Sequence, residues 1–144
     1  MTKGLFRILD ANANRVKEGL RVSEDIARFL YEDRSLTEAF KKLRHDVTKV
    51  LLRFPVPYRS FLGSRNASGD IGKHSAIRDQ KCIGWQDLAA LNLKRAQEGL
   101  RVLEEISKVV APRRSANFQT LRFRTYELEK RVFKKFAALR RHRS

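Results

Sequence analysis

The chain has 144 residues, a single cysteine and a formal net charge of +16 at pH 7. This length is typical of one domain with a sizeable core, and one cysteine excludes an internal disulfide, as expected in a reducing cytoplasm. No apolar run is long enough to cross a bilayer, and the first residues lack the apolar core of a signal peptide. We therefore predict one cytoplasmic domain over residues 1–144, with no membrane partner.

The first half of the chain predicts a helical hairpin. Apolar residues recur at helical spacing over about 5–31, and a short turn separates this helix from a second one. The pattern Ser35-x-x-Glu38 predicts a capping box at the start of the second helix, and Pro55 and Pro57 end it. The apolar stripe of the second helix comprises Leu36, Phe40, Leu43, Val47, Val50 and Leu51.

The second half predicts a similar hairpin. A third helix begins near Trp85 and stops before Pro112, and a fourth helix takes the rest of the chain. The inward apolar stripe of the fourth helix comprises Phe118, Leu121, Leu128, Val132, Phe136 and Leu139. Four long helices with two short connections and one long crossover predict an all-α four-helix bundle. The alternative is an open helical array that needs a second copy, as in a homodimer. The predicted segments are hairpins at about 5–54 and 86–141 and a crossover at about 55–85.

An internal repeat links the two hairpins. Residues 12–26 read NANRVKEGLRVSEDI, and residues 92–106, 80 positions later, read NLKRAQEGLRVLEEI. A shorter echo of the pattern FxxLR begins at Phe40 and again, 78 positions later, at Phe118. The spacing is too long for a solenoid repeat. The duplication therefore predicts two halves that face each other about a pseudo-twofold axis.

Helical periodicity predicts a polar pocket inside this bundle. Asn12 and Arg15 fall within the apolar arc of the first helix, on the side of Ile8, Gly19 and Ile26, with Glu18 at its margin. The second copy places Asn92, Arg95 and Glu98 in the same way. Buried charges are costly unless paired, so pairing of Arg15 with Glu18 is the purely structural alternative. Because two copies converge from opposite halves, we favour a pocket holding two arginines, two carboxylates and two amides.

Two other sets of repeated residues have structural interpretations. Gly19 and Gly99 each weaken a helix by roughly 1 kcal/mol relative to Ala, and we interpret them as sites of close helix packing. A charged set on the first helix is predicted to form a solvated ion-pair face worth little stability. This set comprises Arg21, Glu24, Asp25 and Arg28.

The crossover contains the one Gly-rich stretch, residues 63–74. Its free amides, together with Arg65 and Lys73, are suited to cradling a phosphate, and a loop without function is an equally good interpretation. It is not a Walker A loop, because Ala67 and His74 stand where that motif requires Gly and Ser or Thr. The histidines are scattered and Cys82 lacks a partner at metal-ligand spacing, so no protein metal motif is indicated.

The basic excess favours an anionic partner such as nucleic acid, a membrane surface or a phosphorylated substrate. A merely soluble, thermally robust surface is the alternative. A basic helical module could hold a nucleic-acid backbone along the fourth helix. We predict no specific nucleic-acid binding, because only part of the charge is clustered and the repeated polar residues are expected to face the interior.

Several motifs together resemble one family, the non-ribokinase type of hydroxymethylpyrimidine phosphate kinase of thiamin biosynthesis. In many bacteria that domain is fused ahead of thiamine-phosphate synthase. The resemblance covers about residues 6–129. It rests on the run 7–29, Leu43-Arg44-His45, Arg65 with Asp70-Ile71-Gly72, the run 92–105, Leu121-Arg122-Phe123 and Tyr126-Glu127. Two departures are Ser23, where Leu is expected, and the lack of a synthase domain after Ser144, as in a stand-alone or cut domain.

The resemblance implies ATP-dependent phosphorylation of 4-amino-5-hydroxymethyl-2-methylpyrimidine phosphate to its diphosphate. The acceptor is already anionic, so the site needs positive charge rather than a strong base. The implied catalytic residues are Arg15, Arg95, Arg44 and Arg122. The implied substrate-binding residues are Asn12, Asn92, Glu18, Glu98, Arg65, Lys73 and His45, although His45 also fits an ordinary helix surface. The implied Mg²⁺ ligands are Asp70, Glu18 and Glu98. A scaffold that binds thiamine-phosphate synthase is a further alternative.

Overall fold

In the computed structural model the described chain comprises residues 2–54, 58–72 and 84–143, and within these ranges it is helical without strands. This confirms the predicted all-α class. The elements are α1 (Lys3–Asp25), a π-helical turn (Ile26–Leu30), α2 (Arg34–Leu52), α3 (Tyr58–Ser64), α4 (Trp85–Val110) and α5 (Pro112–Arg143). The sequence did not predict α3, which packs against α1. Lys73, His74 and Cys82 lie outside the described residues.

The four long helices pack in a ring that fits a four-helix bundle. α1 packs against α2 and α4, while α5 packs against α4 and α2. The predicted stripes of α2 and α5 point inward, since Phe40, Leu43, Phe118 and Leu121 are all at most 3% exposed. The ends of both stripes, Leu51 and Leu139, are half-buried against this core.

The first hairpin turns at Glu32 and Asp33, where the sequence predicts a short turn, but the sequence did not predict Asp33 as the cap of the next helix. α1 ends in the π-helical turn, and Glu32 then adopts a φ of 50°. Asp33 caps α2, because its Oδ1 accepts a hydrogen bond from the Leu36 amide at 2.9 Å. The predicted capping box at Ser35 is therefore wrong. The Ser35 hydroxyl instead accepts from Arg131 NH2 of α5 at 2.9 Å.

The two repeats meet along a reciprocal seam between α1 and α4. A Cβ atom on Gly19 would lie 2.5 Å from the Asn92 carbonyl oxygen, and one on Gly99 would lie 3.1 Å from the Asn12 carbonyl oxygen. Each glycine thus faces the backbone of the other repeat at equivalent positions, as in a contact about a twofold axis. The predicted role of both glycines in close helix packing is confirmed.

Ser23, the departure from the family pattern, also lies on this seam. Its side chain is 2% exposed, and its hydroxyl donates to the Ala89 carbonyl oxygen at 3.2 Å. A buried hydroxyl needs such a partner, so the bond explains how a polar residue is accommodated there. Among the described helices, none has both the length and the apolar character needed to cross a membrane.

Candidate functional site

The predicted polar pocket in the bundle interior does not form. Arg15, Glu18, Arg95 and Glu98 are all exposed. The prediction is wrong because it counted Ile8 as part of the core face, whereas Ile8 is 41% exposed. The close approach of α1 and α4 at the two glycines leaves no room between the helices for long polar side chains.

The repeated asparagines are bound to their own helices. Asn12 Nδ2 donates to the Ile8 carbonyl oxygen at 2.8 Å, and Asn92 Nδ2 donates to the Leu88 carbonyl oxygen at 2.9 Å. The Asn12 Oδ1 atom accepts from Arg15 NH1 at 3.0 Å. Both polar groups of Asn12 are therefore used within α1, as short polar side chains commonly are.

Two ion pairs, one in each repeat, replace the predicted pocket. Arg44 Nε and NH2 donate to Glu24 at 2.8 and 3.3 Å, and Arg122 Nε and NH2 donate to Glu104 at 2.8 and 3.4 Å. Glu24 is 2% exposed and Glu104 is 3% exposed. The prediction that Glu24 faces solvent is therefore wrong.

The physical reason is that a two-point arginine contact makes burial of a carboxylate tolerable. Helical periodicity assigns a charged residue such as Glu24 to the surface, because it carries no information about a partner such as Arg44 on another helix. The sequence held one usable signal, because Glu24 and Arg44 recur together as Glu104 and Arg122.

We call the Arg122–Glu104 pair closed, because every nitrogen of its guanidinium has a partner. Arg122 NH1 donates to the Tyr126 hydroxyl at 3.1 Å, and its guanidinium carbon lies 4.9 Å from the centroid of the Phe123 ring. The hydrogen bond to Glu104, and then that to Tyr126, raises the pKa of Arg122 above its ordinary value. Every nitrogen of this guanidinium thus has a partner, and its charge is used inside the repeat.

We call the Arg44–Glu24 pair open, because within the described part of the chain no group accepts a hydrogen bond from Arg44 NH1. In the register of the repeat, Thr48 stands where Tyr126 stands in the second half. Its short side chain does not reach the guanidinium, and its hydroxyl donates to the Arg44 carbonyl oxygen at 3.2 Å. Arg44 keeps a side-chain exposure of 17%, against 10% for Arg122.

Two cavities flank Arg44 along the channel between α1 and α2, and we call them together the Arg44 groove. Their volumes are about 560 and 450 Å³, and both are lined by Arg21 and Arg44. Arg21 NH1 lies 3.8 Å from Glu24 Oε2. The two arginines therefore flank one buried carboxylate. The remaining lining is of mixed charge: Lys17, Arg28, Arg34, Lys41, Glu18, Glu32, Asp33 and Glu38.

The Gly-rich stretch is fastened to α1 through Arg65. Arg65 Nε and NH2 donate to Asp10 at 2.6 and 2.8 Å, and Asp10 is 7% exposed. Sequence reasoning did not select Asp10, since an isolated aspartate in a helix carries no motif. This contact makes Arg65 an anchor of the crossover to α1.

The predicted magnesium ligands are not brought together. Glu18, Glu98 and Asp70 are exposed, and Asp70 Oδ1 accepts from the Gly72 amide at 2.9 Å. Residues 2–54, 58–72 and 84–143 contain no group of three or more His, Cys, Asp or Glu side chains that could hold a metal ion. Within these ranges, the predicted Mg²⁺ ligands therefore do not belong to one cluster of metal-binding side chains. His45 is exposed on α2 and lies outside the lining of the groove.

Comparison with known proteins gives a consistent result. Residues 7–131 match the ThiD2 family. A thiamine-phosphate synthase from Rhodopirellula baltica is 35% identical over 139 residues, which cover 96% of this chain and 36% of that protein. A thiamine-phosphate synthase from Synechocystis is 37% identical over 126 residues, covering 87% and 35%. The chain thus spans about a third of these relatives' length. No solved structure matches it.

These relatives confirm the coarser part of the resemblance and correct the finer part. They support a domain of thiamin biosynthesis. The prediction that the chain is a kinase is contradicted, because the relatives carry the name of a synthase, which is a transferase but not a kinase. Nothing in the matches supports ATP as a co-substrate.

Proposed function

The chain belongs to the ThiD2 family, and from that membership we propose that it acts in thiamin biosynthesis by binding a phosphorylated aminopyrimidine in the Arg44 groove. The relatives are named as synthases, but this chain matches only about a third of each. The proposal is therefore a binding role that serves such a synthase, rather than the complete synthase reaction.

One observation carries this proposal, the unused NH1 group of Arg44. Two nitrogens of the guanidinium are fixed by the buried Glu24, so its orientation is set before any ligand arrives. No described group accepts from the third nitrogen, and Arg44 lines two cavities of about 560 and 450 Å³. A fixed arginine with a remaining donor is suited to a phosphate oxygen, because charge-assisted bonds to phosphate are among the strong ones.

The mixed lining of the groove suits a ligand that carries both a phosphate and an amino-substituted ring. Arg21 and Lys17 add positive charge beside Arg44. Glu18 and Glu38 add carboxylates, which accept hydrogen bonds from an exocyclic amine. A simple polyanion would gain from the cations and be repelled by the carboxylates. This argument favours a small phosphorylated aminopyrimidine over a nucleic-acid backbone.

The test is a calorimetric titration with 4-amino-5-hydroxymethyl-2-methylpyrimidine phosphate, its diphosphate and the unphosphorylated alcohol. We expect the phosphorylated forms to bind and the alcohol to bind at least about 10-fold more weakly, as expected for a lost charge-assisted contact. Arg44→Met removes that contact and is expected to weaken binding of the phosphate by about 10- to 100-fold.

The matched control is Arg15→Met, which removes an exposed arginine of α1 outside the lining of the groove. It is expected to leave the affinity unchanged within about 2-fold, because the charge it removes is solvated. Equal losses in the two variants would show a general charge effect. An undiminished affinity of Arg44→Met, with the fold intact by its melting curve, would overturn the proposal.

A further inference from the structure

A second cavity lies between α4 and α5, away from the Arg44 groove. Its volume is about 430 Å³, within the range of small-molecule sites. Leu93, Val132 and Phe136 are at most 5% exposed and form its floor. Tyr126 and Phe133 form aromatic walls, and Phe133 is 74% exposed. We call this the α4–α5 cavity.

Two of the three aromatic rings are held in place by contacts outside the cavity. Phe136 stacks on Tyr31 with ring centroids 4.2 Å apart. The Tyr126 hydroxyl accepts from Arg122 NH1 at 3.1 Å. These rings therefore present fixed faces, and their arrangement does not have to be created by a ligand. A pre-arranged site loses less entropy when it binds.

The polar rim of the cavity is acidic, although the chain as a whole carries a net charge of +16. Asp87, in the first turn of α4, and Glu129 are both half-buried there, against one lysine, Lys130. Glu129 is fixed by a hydrogen bond from Gln97 Nε2. Aromatic faces and carboxylates attract the same kind of group, a cation with an apolar or planar body. A phosphate would be repelled.

The first repeat supplies an internal precedent for a planar cation at this place. In the register of the repeat, Ala90 of the cavity corresponds to Asp10 of α1. There the planar guanidinium of Arg65 binds Asp10 through two hydrogen bonds. In the second repeat, Ala90 has no carboxylate, and Asp87 and Glu129 supply the negative charge instead. The α4–α5 cavity lies beside these two carboxylates.

We propose that the α4–α5 cavity is a second binding site, which takes a planar aromatic or heteroaromatic cation. The cation lies between the Tyr126 and Phe133 rings, and Asp87 and Glu129 balance its charge. The site is independent of the Arg44 groove, since the two share no lining residue. The two sites select ligands of opposite charge.

Trp85 gives a direct measurement. It is the only tryptophan of the chain, it is 57% exposed, and it directly precedes Gln86, which lines the cavity. We would titrate Trp85 fluorescence with benzamidine, a planar cation, with benzamide, its neutral analogue of the same shape, and with thiamin, a heteroaromatic cation. A saturable change is expected for benzamidine and thiamin, with benzamide binding at least about 3-fold more weakly, as expected for one cation–π and charge contact.

The variants separate charge from shape. Asp87→Asn with Glu129→Gln keeps the shape and the partner of Gln97, and should reduce the preference for benzamidine over benzamide to the part that the aromatic rings supply. Phe133→Ala removes an exposed ring with little cost to the fold, and should weaken both ligands. A preference for benzamidine that is undiminished in the double variant, or affinities unchanged by Phe133→Ala, would overturn the proposal.

Arg44→Met is the control that keeps this inference apart from the proposed function. It should weaken binding of the pyrimidine phosphate by about 10- to 100-fold and leave the benzamidine titration unchanged. A loss of benzamidine binding in Arg44→Met, at a temperature where its melting curve shows the variant to be folded, would contradict the independence of the two sites.

Discussion

Each repeat buries one arginine–glutamate ion pair, but the two arginines differ in whether their remaining NH1 group has a hydrogen-bond acceptor. In the second repeat, Arg122 is bound by Glu104 and by the Tyr126 hydroxyl. In the first, Arg44 is bound by Glu24, while Thr48 is too short to take the place of the tyrosine. All nitrogens of Arg122 have a partner inside the second repeat, whereas Arg44 NH1 has no acceptor among the described residues. This difference is the basis of the ligand site that we propose at Arg44.

The largest expected difference between the repeats is in stability. Arg122→Met leaves Glu104 buried with no cation beside it among the described residues, and should lower the free energy of unfolding by about 3–5 kcal/mol. Arg44→Met leaves Glu24 with Arg21, whose NH1 is 3.8 Å away, so a loss of about 1–3 kcal/mol is expected. Chemical denaturation measures both. Equal losses would show that Arg21 does not compensate.

A tyrosine at position 48 should give Arg44 NH1 the acceptor that Tyr126 gives to Arg122 in the second repeat. Thr48→Tyr should place a phenol against Arg44 NH1, as Tyr126 is placed against Arg122. Affinity for the pyrimidine phosphate should fall by about 10- to 100-fold, while the melting temperature stays close to that of the parent chain. Thr48→Val, which adds no ring, is the matched control in the same titration. Full binding by Thr48→Tyr would contradict the role given to NH1.

The seam between the repeats should respond unequally to added methyl groups. Gly19→Ala forces a Cβ atom to within 2.5 Å of the Asn92 carbonyl oxygen, which belongs to a helix backbone. Gly99→Ala meets the Val16 Cγ2 atom first, at 2.8 Å. We expect Gly19→Ala to lose about 1–3 kcal/mol of stability and Gly99→Ala to lose less, by urea denaturation. A more stable Gly19→Ala would mean that helix propensity outweighs the contact.

The smallest expected effect concerns the start of α2. The Leu36 amide lowers the pKa of Asp33, burial raises it by less, and Lys135 lowers it further, so the net pKa lies below its ordinary value. A lowered pKa in the folded state stabilises the fold above the pKa of the unfolded state, and this contribution disappears as the pH falls through the folded value.

Asp33→Ala should therefore cost about 1 kcal/mol at neutral pH. The cost should shrink as the pH falls below about 4, where the parent chain also loses the charge. Denaturation at neutral and acid pH measures the difference. A cost that is independent of pH would assign the effect to packing. The second repeat offers the contrast, since Pro112 begins α5 after Ala111, which has no capping side chain.

The sequence predicted what depends on periodicity and repetition. The stripes through Phe40 and Phe118, the stop before Pro112 and the packing role of Gly19 all follow from local patterns. These features are set by apolar burial and backbone geometry, which each helix carries in its own sequence.

The sequence failed where a side chain depends on a partner from another helix. Periodicity predicts Glu24 in solvent because its partner Arg44 lies on α2, and it gives no signal at Asp10 because its partner Arg65 lies in the crossover. It predicts Arg15 inside because it cannot show where the edge of the buried face falls, and Ile8 lies beyond that edge. The position of that edge is decided by tertiary packing, here by the approach of α1 to α4.

The reciprocal seam also constrains how this protein can evolve. Each helix contributes one glycine and one carbonyl to the contact, so a widening at Gly19 also lifts Gly99 away from the Asn12 carbonyl. Once the helices have separated at one glycine, an added methyl group at the other costs less. Mutations 80 positions apart are therefore expected to show epistasis, with the double variant less damaged than the sum of the single variants.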